Sequence, residues 1–132
     1  DVHFQKLNRF HRRAAKLISD DTLLSTDEKL SALDILPLRK SLQVNKGVIM
    51  WKAMASKAPA YLSNIFNKST APRRSGRNSS LVLPWPRLDL FKNSLSFSGT
   101  KLWNSLPHSI TSAQTVNTFR PRLRKHATHT DI

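Results

Sequence analysis

Between positions 35 and 80 the chain carries nine Lys and Arg and not one Asp or Glu. Cations placed this way have no acidic neighbour in sequence, so the fold must leave them facing water or a polyanion. The imbalance runs through the whole chain: 22 Lys and Arg stand against 8 Asp and Glu, a formal charge of +14 over 132 residues. Self-repulsion on that scale opposes compaction, and it points to nucleic acid as the partner that relieves it. The few acids are gathered, with Asp20, Asp21, Asp27, Glu28 and Asp34 falling inside fifteen residues.

A hydrophobic content of 39% supports one modest core. The absence of cysteine excludes a disulfide framework, a thiolate zinc site and a Cys nucleophile. No apolar run approaches the ~20 residues of a spanning helix, so no membrane partner is expected. The chain starts at Asp1 with no charged-then-apolar leader, and it reads as a soluble piece of a longer protein.

Apolar spacing predicts a mainly α fold, a small helical bundle with a short β-hairpin-like ribbon in its second half. Phe4, Leu7, Phe10, Ala14, Leu17 and Ile18 recur every three or four residues and predict a first helix with these positions inward. Ser25 with Glu28 is a capping box, starting a short helix to about Leu33 with Leu30 and Leu33 inward. Pro37 suits the first turn of a third and longest helix, running to about Ser56. Within it Gly47 marks a cost of ~1 kcal/mol or the close approach of another segment. A short fourth helix carries Tyr61, Leu62, Ile65 and Phe66. The apolar runs at 81–83, 88–91 and 95–97, split by Pro84 and Pro86, predict the ribbon. A turn or two of helix follows, with Leu102, Trp103 and Leu106 inward, and the last helix should break near Arg120 because Pro121 lacks an N–H. The expected organisation is a helical part at 1–66, a basic flexible linker at 67–80, strands and helices at 81–126 in one unit with 1–66, and a frayed tail at 127–132.

No catalytic site is expected. Asp20 and Asp21 are too few to hold a divalent cation, Asp27 and Glu28 are explained by a helix start, and the histidines do not converge. The three glycines form no phosphate-binding loop, and no nucleophile elbow occurs. Metal, cofactor and small-molecule substrate are therefore not expected. What remains is basic. Arg9, Arg12, Arg13 and Lys16 share the non-apolar face of the first helix as a candidate phosphate rail; Arg73, Arg74 and Arg77 form a candidate clamp in the linker; Arg120, Arg122, Arg124 and Lys125 form a third cluster. Most aromatics lie on apolar stripes and read as core. Trp85, between Pro84 and Pro86 and near Arg77 and Arg87, is a candidate stacking platform for a base.

Several blocks resemble one family in its order. Arg13-Ala14-Ala15-Lys16-Leu17-Ile18 looks like an R-A-A-R-x-I helix, and Leu36-Pro37-Leu38-Arg39 like an L-P-L-R block. Trp51-Lys52-Ala53-Met54 followed by Ala58-Pro59-Ala60-Tyr61-Leu62 is similar to F-K-A-L then A-P-P-Y-L. GTKLWNSLP at 99–107 looks like G-x-K-L-W-N-S-L-P, and Phe119, Arg120, Leu123 and Arg124 match a closing F-K-x-x-L-K. The resemblance is to the C-terminal region of reverse transcriptases from non-LTR, LINE-type retrotransposons, especially jockey-like elements. The chain departs from the pattern at Asp34, where Gly is usual, at Ala60 for Pro, at Leu95 for an aromatic, and at Pro121. The resemblance implies a non-catalytic, thumb-adjacent tail that holds RNA or DNA during target-primed reverse transcription. It also implies an upstream reverse transcriptase domain as partner, an RNA-directed DNA polymerase and endonuclease as parent, and work in the nucleus. The alternative is a structural domain docking on the polymerase body or on an acidic partner, without nucleic acid. A third reading is a folded relic of a degenerate element.

Overall fold

A computed structural model describes residues 2–19, 23–68 and 81–129. These residues are mainly helical, as expected, and fall into two compact units, one ending at Leu42 and the other beginning at Gln43.

The first unit holds α1 (Val2–Ile18), α2 (Thr26–Ala32) and the start of α3 (Leu38–Met54). The capping box forms as predicted: the Glu28 N–H donates to Ser25 Oγ at 3.3 Å, and the Ser25 N–H donates to Glu28 Oε2 at 2.7 Å. At the other end of α2 the Asp34 N–H donates to Ser31 O and the Ile35 N–H to Leu30 O, with Asp34 at φ 52°. This is a Schellman stop, with a left-handed residue just past the helix. The end of α3 repeats it: Ser56 has φ 55°, its N–H meets Ala53 O, and the Lys57 N–H meets Lys52 O.

The apolar stripe of α1 does not face inward. Leu7, Phe10, Ala14, Leu17 and Ile18 are exposed, Phe10 by 70% and Leu17 by 80%. The face that loses exposure is Phe4, Asn8, His11 and Ala15, of which only Ala15 is fully buried. Periodicity locates an apolar stripe but not the element that covers it. Here α1 packs against the seven-residue α2, and Ala15 is the residue of α1 that is fully buried. In α2 itself Leu30 is buried and Leu33 half-buried. Arg39 of α3 lies over the Phe4 ring, 5.0 Å from its centroid.

The second unit takes the rest of α3, then α4 (Ala60–Ser63), α5 (Asp89–Lys92), a π-helical turn (Leu95–Gly99), α6 (Thr100–Ser105), α7 (His108–Thr111) and α8 (Val116–His129). Its core is aromatic. Phe119 lies between Trp51 and Trp103, with ring centroids 6.1 and 6.0 Å away, and Trp51 Nε1 donates to Ala113 O at 2.9 Å. Leu102, Trp103 and Leu106 are buried as predicted. Gly47 does mark a close approach: a Cβ there would run into Leu123 of α8.

The ribbon expected after residue 80 is absent among the described residues, where the only strand-like pairing is an isolated bridge between Lys68 and Leu81. The apolar runs are too short to tell strand from helical turn by periodicity. Local capping decides for turns: Ser94 Oγ accepts from the Phe97 N–H and donates to Phe91 O, and Ser98 Oγ donates to Ser94 O. Pro121 does not break α8, which runs unbroken past it. The ring costs one intrahelical bond and ~3 kcal/mol, and burial of Phe119, Leu123 and Ala127 on one face outweighs that loss. Of the tail expected at 127–132, residues 127–129 belong to α8, with Ala127 buried, and residues 130–132 lie outside the described ones.

Candidate nucleic-acid interface

Arg9, Arg12, Arg13 and Lys16 recur at helical spacing on α1, and all four are exposed. They line one open groove of about 480 Å³ together with Gln5 and Asn8 of α1 and Thr26 of α2. Four cationic groups, two carboxamides and a hydroxyl give a wall of hydrogen-bond donors with permanent positive charge, the chemistry of a phosphate contact surface. Among the described residues local neutralisation is slight. Asp27 Oδ1 lies 3.6 Å from Arg12 Nη2, with side chains 81% and 46% exposed, so solvent screens the pair heavily. Glu28 does not join it, because its carboxylate is turned to the capping box. Hydrogen bonds from Ser25, side chain first and then backbone, hold its pKa below the ordinary glutamate value.

The second basic cluster, Arg73, Arg74 and Arg77, lies outside the described residues. Its flanks are held together: the Val82 N–H donates to Asn67 O at 2.8 Å, and Asn104 takes both backbone groups of Leu81, accepting from its N–H and donating to its carbonyl at 2.9 Å each. The asparagine of LWNSLP therefore fastens the chain where it returns from the basic stretch.

The third cluster divides. Arg120 lines a groove with Lys52, Val48, Val116, Asn117 and Pro121. Arg122 is turned to a structural task, its Nη1 donating to Ser109 O at 2.9 Å and tying α8 to α7. Arg124 is half-buried, whereas Lys125 is exposed. Trp85 is 88% exposed, as a stacking platform requires, and Arg87 beside it is exposed too. Leu88 and Leu90 are likewise uncovered, so this segment presents more apolar than cationic surface.

Sequence reasoning missed Gln5, Asn8 and Thr26 in the α1 groove, and Lys52 beside Arg120. Gln5 and Asn8 were legible from helical spacing, since Gln5 stands four residues before Arg9 and Asn8 four before Arg12. Thr26 and Lys52 come from other helices, and no sequence signal joins them to these cations.

Among the described residues no group of three or more His, Cys, Asp or Glu is placed to hold a metal, and no helix is long and apolar enough to cross a membrane. Compared with protein-family models, with curated proteins and with solved structures, the chain gives no significant match.

Proposed function

We propose that the chain is a non-catalytic nucleic-acid-binding module, with the α1 groove as its main contact for the phosphodiester backbone of RNA or DNA. The observation that carries this reading is the convergence of Arg9, Arg12, Arg13 and Lys16 on one groove with Gln5, Asn8 and Thr26 as neutral donors. Such contacts give affinity without reading sequence. In the finer form, the module is the C-terminal tail of a retrotransposon reverse transcriptase, working near the polymerase thumb in target-primed reverse transcription. The left-handed conformation of Asp34, where the family pattern has Gly, supports that resemblance.

The test is salt-dependent binding of a labelled single strand. Four phosphate contacts imply a slope of log affinity on log salt of about −3. Arg9→Glu with Arg13→Glu should remove about half of that slope while leaving thermal unfolding in place. Affinity that stays flat between about 50 and 200 mM salt sinks the reading.

One observation favours docking on a protein body as a second reading: the uncovered stripe of Leu7, Phe10, Leu17 and Ile18 on α1. Phe10→Ser with Leu17→Ser separates the two in the same assay. Unchanged nucleic-acid affinity assigns the stripe to a protein contact, and a parallel loss assigns it to the groove.

A further inference from the structure

Among the described residues lining the α1 groove, Thr26 alone carries a hydroxyl. It is the first residue of α2, and the side chain that follows it, Asp27, already reaches Arg12 at 3.6 Å. Thr26 lines the same groove as Arg9, Arg12, Arg13 and Lys16, the four groups that the proposed reading gives to a nucleic-acid phosphate, so an anion attached to it enters their field.

Charge also sets this segment apart, and the neighbouring Ser25 shares the setting but has its hydroxyl in the capping box and does not line the groove. Asp27 and Glu28 follow Thr26 and Asp20 and Asp21 precede it, within the one acid-rich stretch of a +14 chain. A protein kinase whose substrate cleft is cationic is repelled along the rest of the sequence and attracted here. Leu23, Leu24 and Ser25, the residues leading into Thr26, are exposed, and Thr26 itself is only partly covered.

We propose that Thr26 is a phosphorylation site for an acid-directed protein kinase, and that its phosphate occupies the cationic groove and excludes the nucleic-acid backbone. In the transfer, Thr26 Oγ1 bonds to the terminal phosphorus of a nucleoside triphosphate. The bond from that phosphorus to the bridging oxygen breaks, nucleoside diphosphate departs, and the hydroxyl proton passes to the kinase's base. The product carries a charge of about −1.5 to −2 and three acceptor oxygens. It supplies intramolecularly what a backbone phosphate supplies from solution, so its effective concentration is high. The inference rests on the groove being a phosphate site.

The experiment treats the full chain with an acid-directed kinase and ATP, maps the phosphate by mass spectrometry, and measures affinity for a single strand of about 12 nucleotides. Phosphate on Thr26 with affinity reduced about tenfold at low salt is the expected result. Thr26→Ala gives up one neutral donor of the groove and serves as its own baseline, so its affinity should be the same before and after kinase treatment. A second readout needs no nucleic acid: by phosphorus NMR, the phosphothreonine should titrate below its ordinary value of about 6, and Arg12→Gln with Arg13→Gln should return it there. An unmodified Thr26, or a phosphorylated chain that binds as before, overturns the switch. If Arg9→Glu with Arg13→Glu still lowers affinity in that case, only the switch has failed; if it too binds normally, the groove reading has failed first.

Discussion

Asp34 and Ser56 occupy left-handed backbone, at φ 52° and 55°, each one residue past a helix C-cap. For an L residue this conformation crowds Cβ against the carbonyl, a strain of about 1 kcal/mol that glycine does not carry. The two stops accept the strain because the Schellman bonds satisfy carbonyls that the helix end would otherwise leave bare. Ser56→Gly should therefore raise stability by about 0.5 to 1 kcal/mol, read as a higher midpoint in urea with an unchanged slope. Asp34→Gly should gain less, since aspartate tolerates this region better than serine does. A loss of stability at Ser56 would mean that the αL strain is not what governs the site. Gly47 shows the opposite use of glycine. Its backbone is ordinary helix, and a methyl there would have to displace the end of the buried Leu123 side chain of α8.

Among the elements, α2 is held at its start by a carboxylate contact. Glu28 is fully exposed, yet its bonds with Ser25 depress its pKa. A group with a depressed folded-state pKa adds stability that is complete above its unfolded value of 4.5 and is lost as pH falls through the folded value. Helical signal from α2 and protection of its first amides should thus hold from neutral pH down to the glutamate range and fall below it. Glu28→Gln should flatten that dependence, which amide exchange across the acid range would reveal. This helix was legible in the sequence because capping is local, and so was the start of α3 after Pro37. The turns at 89–99 were not, because Ser94 and Ser98 decide them through bonds that apolar spacing does not encode. The buried face of α1 was not legible either: its apolar stripe is real, but the side that loses exposure is that of Phe4, Asn8, His11 and Ala15. The site divides the same way. The four rail cations share one helix and were readable at a glance, whereas Lys52 and Arg120 line one groove from two different helices, α3 and α8.

For the molecule as a whole, the governing quantity is the charge of +14, and in the α1 groove binding and stability pull against each other. Arg9 stands four residues from Arg13, and Arg12 four from Lys16, while the described part of α1 contains no acid. Each like-charge pair at that spacing costs a helix about 0.2 to 0.5 kcal/mol, a cost that added salt screens. A chain selected only to fold would not keep them. Arg9→Gln with Arg13→Gln should consequently unfold at a higher temperature than the parent at low ionic strength, by an amount worth about 0.5 kcal/mol, and the gap should close in concentrated salt. The same variant should bind a single strand more weakly and with a shallower salt slope. Gain in one measurement with loss in the other marks residues kept for a polyanion. If instead the variant melts lower and its binding falls only in step with the folded fraction, these arginines serve the fold, and the groove is a by-product of packing.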